Sequence, residues 1–287
     1  MANYIRLIGL AAIWGGSFLF MRIAAPILGS AWLVFGRVGV AAVFLFFVMR
    51  FIKQESDLFL NWKHFTVVAF FNSALPFFFF AEATKSLNTS QLSVVNATAP
   101  AWAYLIGIFL NSASLNPLKI IGLLIGLVGV FLSMDTTNST LTFDVYGIGM
   151  ALLAAFSYGI ATNYVKNKKK IEPYANAFGS MVFATLLIAP TIPFFPIKGE
   201  LNLSIVLAVL AIGVICSGFA YMLYFKIIET MGATSALTVT FLIPLFGTLW
   251  GYLILDEPIT AKSIVGGFIV LIGTFIVTSN ININIKK

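Results

Sequence analysis

The chain has 287 residues, of which 60% are hydrophobic and 9% charged, and its formal net charge is +7. Soluble globular domains contain about 45–50% apolar and about 25% charged residues. A soluble fold of this length would have too few charged side chains to cover its apolar surface, so the composition excludes that class and predicts a protein embedded in lipid. The basic residues are scattered between apolar runs and form no single stripe, which argues against a nucleic-acid partner.

Ten apolar stretches lie between clusters of charged residues, proline, asparagine and glycine. A transmembrane helix needs about 20 such residues, so we predict an all-α polytopic membrane protein with ten spans and no soluble domain. The first stretch is expected to be a retained helix, because no small-residue cleavage site is clearly placed after it. The predicted spans are 4–23, 31–51, 64–84, 89–110, 117–134, 145–165, 174–196, 203–227, 232–254 and 261–279.

The distribution of lysine and arginine predicts the orientation, since cytoplasmic loops carry an excess of both. If the N-terminus is cytoplasmic, so is the tail 281–287, and twelve basic residues fall on the cytoplasmic side against four outside. The twelve are Arg6, Arg50, Lys53, Lys63, Lys119, Lys166, Lys168, Lys169, Lys170, Lys226, Lys286 and Lys287; the four are Arg22, Lys85, Lys198 and Lys262. The run from Lys166 to Lys170 is read as a stop-transfer anchor, with a lipid head-group or partner site as the alternative.

An internal repeat appears when the sequence is shifted by 144 residues, which aligns 87–134 with 231–278 without a gap. Pro100 recurs as Pro244, and Gly122 and Gly129 recur as Gly266 and Gly273. We therefore predict two halves, 1–136 and 144–280, each with five spans. Because five is odd, the second half enters the membrane in the opposite orientation, which typically puts a substrate site between the halves near mid-membrane. A duplication that only enlarged a helix bundle is the alternative.

Polar and aromatic residues inside the predicted spans are the candidate substrate-binding residues, because polar groups in hydrocarbon usually face a cavity or another helix. They suggest an aromatic-walled cavity for a neutral, zwitterionic or cationic amphiphile; hydrogen bonding between helices is the alternative. Pro100 and Pro244 are candidate kinks and gating points, since each removes a backbone hydrogen bond. The candidate binding residues are Trp14, Arg37, Asn72, Asn96, Tyr158, Tyr221, Tyr224 and Thr240.

Arg37 is the one charge well inside a predicted span. Its long side chain could reach the interface unpaired, pair with Glu82, or bind a substrate carboxylate. Lys85 follows Glu82 by three residues, and Lys226 precedes Glu229 by three, a spacing that permits a local ion pair on each helix. Anchoring at the interface is the expected role of these four residues, and ion coupling is the alternative. No Asp or Glu is predicted near mid-membrane, which favours facilitated diffusion or exchange over ion coupling; coupling through Glu82 stays open.

Catalysis and metal binding are not expected. Cys216 is the only cysteine and His64 the only histidine, which excludes an intramolecular disulfide, a thiolate cluster and a His-rich zinc site. An intramembrane enzyme would need a nucleophile with a base, or a metal-activated water. We therefore expect no catalytic residues and no cofactor.

The sequence resembles the drug/metabolite transporter superfamily in its ten-helix EamA-type branch, over nearly the whole chain. The resemblance rests on the segment Trp14 to Phe18, on Arg37, Pro100, Pro244 and Gly266, and on the turn Asp256 to Pro258. In the first half, Ser112 to Ser114 stand where that acidic turn would recur, so no symmetric pair of glutamates exists. The resemblance implies helices 1–4 and 6–9 around a central cavity, with helices 5 and 10 outside it.

The function that the resemblance implies is export or exchange of an amino acid, a related metabolite or an amphiphilic compound. Uptake of a nucleoside- or adenosyl-type metabolite is the alternative within transport, and a structural membrane protein is the alternative outside it. The expected partners are the small-molecule substrate and membrane lipid, and the expected state is a monomer or weak homodimer. Usage rich in phenylalanine, isoleucine, asparagine and lysine suggests an AT-rich bacterial genome, and hence the bacterial inner membrane.

Overall fold

The computed structural model describes residues 2–134, 145–166, 168, 171–231 and 239–279. These residues form helices and short connections, and no β-strand occurs among them. Three sequence predictions lie outside the described residues: the tail 281–287, the start of the ninth span, and part of the basic run that ends at Lys170. The side chain of Glu229 also lies outside the description.

The first helical run, α1, extends over Ala2–Phe51, and Gly29 divides it into two arms. Gly29 has φ 70° and ψ 169°, a backbone conformation that glycine adopts far more readily than other residues. Fifty residues of uninterrupted helix would be about 75 Å long, more than twice the thickness of the hydrocarbon core. The two arms, 2–28 and 30–51, coincide with the first two predicted spans.

Among the described residues, eight further helical runs follow α1. Seven of the described runs are long and apolar enough to cross a bilayer: α1, α2, α3, α5, α6, α7 and α9. The other two, α4 and α8, are shorter apolar helices. The protein is therefore an all-helical, multi-pass membrane protein. The runs are α2 Trp62–Ala83, α3 Thr89–Phe109, α4 Pro117–Ser133, α5 Val145–Lys166, α6 Pro173–Phe194, α7 Leu203–Met231, α8 Val239–Leu255 and α9 Ala261–Thr278.

The outer surface carries large apolar side chains that a soluble protein would bury. Phe109 is 78% exposed, Leu245 62% and Phe268 65%, on three different helices. The buried residues, in contrast, form a core around both arms of α1. An apolar exterior around a packed interior is the arrangement expected when lipid is the solvent.

Three runs are irregular near their middle. α2 contains a π-helical segment, Phe70–Ala74, and α7 contains another, Ala211–Phe219. α3 is interrupted between its two pieces, Thr89–Asn96 and Ala99–Phe109. Such π-helical segments are frequent at functional sites. Here the two segments share the 144-residue spacing of the repeat, since Ser73 lies in the first and Ser217 in the second.

α4 and α9 pack directly against each other through glycines. A Cβ atom added at Gly129 would lie 2.7 Å from the carbonyl oxygen of Gly266, and one added at Gly122 would lie 2.9 Å from that of Gly273. The 144-residue shift carries Gly122 to Gly266 and Gly129 to Gly273. Each glycine therefore contacts the repeat equivalent of the other, as in a two-fold interface, and the two helices run antiparallel.

Candidate substrate site

A cavity of about 460 Å³ lies between α1, α2, α3, α5, α7, α8 and α9. All eight predicted substrate-binding residues line it, and so does Pro100, whereas Pro244 is buried inside α8 and is not among the lining residues. The eight are Trp14, Arg37, Asn72, Asn96, Tyr158, Tyr221, Tyr224 and Thr240. The structure thus brings these residues together, and their contact with a substrate stays a prediction.

One wall of the cavity is aromatic and comes from the first arm of α1. The rings of Trp14 and Tyr224 are 5.5 Å apart, and those of Phe18 and Phe80 are 5.2 Å apart. The next residue, Gly15, lies on the other side of the helix, where an added Cβ atom would be only 2.7 Å from the Cβ of Phe246. Glycine therefore lets α8 approach closely while the tryptophan faces the cavity.

Amide and hydroxyl groups line the middle of the cavity. The side-chain amide of Asn72 donates a hydrogen bond to the hydroxyl of Tyr221 at 3.1 Å, which links α2 to α7. Asn96 is the last residue of the first piece of α3, and Pro100 begins the second piece with Ala99. α3 is therefore interrupted just before Pro100, and the kink at this residue stays a prediction. α8, in contrast, runs as one helix over its described residues despite Pro244.

Arg37 is the charged residue of the described cavity lining, and its side chain is buried, with 5% of its surface exposed. Its guanidinium carbon lies 3.5 Å from the centroid of the Phe77 ring, and its Nε donates to the hydroxyl of Ser217 at 3.0 Å. The residue faces an internal cavity and does not reach the membrane interface, so the interpretation of Arg37 as a snorkelling side chain is wrong.

The predicted alternative that Glu82 pairs with Arg37 is also wrong. The carboxylate of Glu82 accepts hydrogen bonds from Ser30, Lys85 and Tyr146, the last at 2.8 Å. The ion pair with Lys85 is the local i, i+3 pair that the sequence spacing permits. Depth in the membrane was the basis for pairing Glu82 with Arg37, but neighbouring helices supply Glu82 with closer donors.

A second polar cluster, which we call the closing cluster, consists of Arg22, Thr84, Thr89 and Glu257. The Glu257 carboxylate accepts from Nε of Arg22 at 3.2 Å and from the backbone amide of Thr89 at 2.9 Å. Arg22 also donates to the carbonyl oxygen of Thr84 at 2.5 Å. The cluster ties α1 to the start of α3 and to the residues after α8. The sequence analysis placed Arg22 on the outer side of the membrane and missed this contact.

A further cavity of about 490 Å³ lies at the end of the molecule opposite the closing cluster, and Lys119 and Lys166 line it. We call this the open end, and the end with the closing cluster the closed end. Ala103, Tyr104 and Thr162 line both cavities, so the two are adjacent. Lys166 ends α5, whereas Tyr146, which contacts Glu82, stands at its beginning. Twenty residues of helix separate them by about 30 Å, so this open end lies across the membrane thickness from the closed end that carries the closing cluster.

Comparison with known proteins decides the family, because the model of the EamA-like transporter family matches residues 2–134 and 145–279. The chain belongs to the EamA-like transporter family. It is 26% identical to an uncharacterized transporter of Archaeoglobus fulgidus, over 93% of this chain and 94% of that one. It is 25% identical to the uncharacterized transporter YoaV of Bacillus subtilis, over 95% of both. A WAT1-related chloroplastic protein of Arabidopsis thaliana is 25% identical over 92% of this chain and 66% of its own.

A solved crystal structure shares the fold, with a TM-score of 0.66 over 94% of both chains at 19% identity. The family match and the transporters related to this chain confirm the resemblance to the drug/metabolite transporter superfamily, and this EamA-like protein is a membrane transporter. One implied detail needs correction. α9, the tenth predicted span, packs against α4 outside the bundle as implied, but its end, with Val277 and Thr278, reaches the cavity.

Several lining residues of this EamA-like transporter were missed by sequence reasoning. Cys216 could have been predicted from the repeat, because the 144-residue shift carries Asn72, a predicted binding residue, to position 216. No sequence pattern indicates Phe77, since α2 contains several phenylalanines and only the packing determines which ring stacks on Arg37. Tyr104 also lines the cavity and lies in the second piece of α3.

Proposed function

We propose that this EamA-like protein carries a small amphiphilic metabolite, an amino acid or related compound, across the membrane by alternating access. The observation that carries the proposal is the cavity, whose lining combines aromatic walls with amide, hydroxyl and guanidinium groups. Its volume of about 460 Å³ falls within the range of about 300–1,000 Å³ that small-molecule sites occupy. Trp14, Arg37, Asn72, Asn96, Tyr158, Tyr221, Tyr224 and Thr240 are the proposed binding residues.

The proposed architecture is ten membrane crossings in two inverted five-helix halves. The two arms of α1 account for two crossings, and α2 to α9 for one each. The reciprocal glycine contacts between α4 and α9 support the inversion, because they relate repeat-equivalent positions by an antiparallel two-fold. The matching π-helical segments in α2 and α7 give independent support. An inverted repeat provides two related conformations by exchanging the states of its halves.

The structure supports one particular step of this cycle. The central cavity adjoins the cavity at the open end, and the closing cluster joins three helices at the closed end. In the alternate state we propose that Glu257 separates from Arg22 and Thr89 while the open end closes. The break at Pro100 lets the second piece of α3 move relative to the first, and Pro244 is its proposed counterpart.

The orientation follows from the basic residues. With both termini cytoplasmic, the open end, with Lys119 and Lys166, faces the cytoplasm and the closing cluster faces outward. We place the protein in the bacterial plasma membrane. No Asp or Glu is among the described residues that line the cavity, which favours export by exchange or facilitated diffusion over coupling to an ion.

The test combines binding and transport. Amino acids, nucleosides and quaternary amines are screened for stabilisation of the purified protein, since a ligand of the native state raises its thermal midpoint, and the best compound is followed by counterflow in proteoliposomes. Trp14→Ala should raise the half-saturating substrate concentration about 5-fold, because a lost aromatic contact is worth about 1 kcal/mol. Trp62→Ala is the matched control, since Trp62 lies at the surface and is 50% exposed. Failure of every compound to exchange above protein-free liposomes would refute the proposal.

A further inference from the structure

Arg37 is a buried charged side chain that has no acidic partner among the described residues. A buried charge is costly and is normally paired, and Arg37 is only 5% exposed. Among the described residues no carboxylate lies within 4 Å of its guanidinium group. Glu82, the acidic residue nearest in predicted depth, is already bound by Ser30, Lys85 and Tyr146.

The contacts of Arg37 leave one edge of the guanidinium group available. Phe77 covers a face of the planar group at 3.5 Å, and Ser217 accepts the Nε hydrogen. The two terminal nitrogens form no hydrogen bond with any described residue, and the side chain lines the cavity. A guanidinium edge with paired N–H groups matches the two oxygens of a carboxylate. The two contacts therefore orient Arg37 for an anion that the protein itself does not supply.

The rest of the lining limits the remainder of the ligand. Trp14 and Tyr224 form an aromatic wall, and their rings are 5.5 Å apart. The lining described here contains no acidic side chain to balance a cationic ligand. An ammonium group next to a carboxylate could still lie against an aromatic face. A ligand with positive charge alone would be repelled by Arg37, so the cationic class predicted from the sequence does not fit.

The geometry points to an organic carboxylate as the substrate, anionic or zwitterionic, with its carboxylate on the terminal nitrogens of Arg37 and its apolar body against Trp14 and Tyr224. This inference rests on the proposed transport function and names the substrate class of the same cavity. Arg37 is then the residue that determines specificity for charge.

The test uses matched ligands that differ only at the carboxylate. Phenylalanine, 3-phenylpropanoate, leucine and 4-methylpentanoate are each compared with the corresponding carboxamide, and phenylalanine and leucine are also compared with the amines that lack the carboxyl group. Binding is measured by thermal stabilisation and exchange by counterflow in proteoliposomes. For wild type we expect at least one carboxylate to bind about 10- to 100-fold more tightly than its amide, the range expected for hydrogen bonds to charged groups, and the simple amines not to bind.

Two substitutions separate charge recognition from folding. Arg37→Gln should lose the preference for carboxylate over amide, and Arg37→Lys should keep the charge but weaken carboxylate binding because it lacks the planar edge. Arg50→Gln, at an exposed arginine of the same helical run, is the control and should bind as wild type. Should Arg37→Gln fail to fold, the wild-type ligand comparison and Arg37→Lys decide.

The outcomes distinguish this inference from the proposed function. Carboxylate preference in wild type that Arg37→Gln abolishes supports the inference. Transport of amides or amines without preference for carboxylates, or unchanged carboxylate binding by a folded Arg37→Gln, overturns the inference and leaves the transporter intact. Exchange of no compound of any class, in this panel or among nucleosides, overturns both.

Discussion

Replacing Glu257 by glutamine should open the closed end of the cavity. The carboxylate accepts one hydrogen bond from Arg22 and one from the backbone of Thr89, at 3.2 and 2.9 Å. Glutamine carries no charge and has a single acceptor oxygen, so the ion pair is lost and, with that oxygen on Arg22, the backbone amide of Thr89 faces an NH₂ group. The ion pair contributes about 0.5 kcal/mol because Arg22 is partly exposed, and the backbone bond to the buried carboxylate contributes about 1 kcal/mol. The sum corresponds to about a tenfold larger open fraction.

The assay measures access to the cavity from the closed end. A cysteine is introduced at Thr240, which lines the cavity, in a chain whose own Cys216 is replaced by serine. A membrane-impermeant thiol reagent is then applied to the side of the membrane that the closed end faces. Glu257→Gln should increase the rate of labelling about tenfold, because the rate follows the population of the open state.

The matched control is Glu200→Gln. Glu200 is exposed in the connection between α6 and α7, at the closed end, and its carboxylate forms no hydrogen bond or ion pair with the described residues. Removing its charge should leave the labelling rate unchanged. If Glu257→Gln and Glu200→Gln label equally fast, the closing cluster does not hold this end shut and the assignment of a gate to it is refuted.

Two further substitutions test the packing and the cavity. Gly129→Ala should lower the thermal midpoint, since overpacking against the backbone of Gly266 costs about 1–3 kcal/mol. Gly126→Ala on the same helix is the control and should not lower it, because an added Cβ there meets no atom within 4 Å. Equal midpoints for the two variants would contradict the α4–α9 contact. Tyr221→Phe removes the acceptor of the Asn72 amide. It should weaken substrate binding by about 3- to 10-fold, the effect of one neutral hydrogen bond, as measured by titration of thermal stabilisation. Unchanged affinity would show that Tyr221 is not part of the binding site.

Much of the fold follows from the sequence because lipid imposes simple rules on it. Apolar length determines where a helix begins and ends, so the predicted span 89–110 corresponds to Thr89–Phe109 and the span 145–165 to Val145–Lys166. The repeat spacing also predicted which glycines matter, since Gly129 and its equivalent Gly273 both lie in the contact between α4 and α9. The count of ten crossings and the inversion of the halves stay predictions.

Part of the site could not be predicted, for reasons that particular residues make plain. Arg22 and Glu257 are 235 residues apart, and nothing local in either sequence indicates that they meet. Pro100 and Pro244 are equivalent in the repeat, yet only the former accompanies a break, because helix continuity depends on the packing around each proline. The π-helical segment that carries Asn72 likewise leaves no pattern in hydrophobicity.

The central claim is that substrate crosses the membrane through the cavity that Trp14, Arg37 and Tyr221 line. It is tested most directly by counterflow of the best-stabilising compound in proteoliposomes, before and after a bulky thiol reagent modifies a cysteine at Thr240. We predict that modification reduces exchange to the rate of protein-free liposomes, while the same modification at Glu200 has no effect. Exchange that continues at the unmodified rate with the cavity blocked would contradict the account.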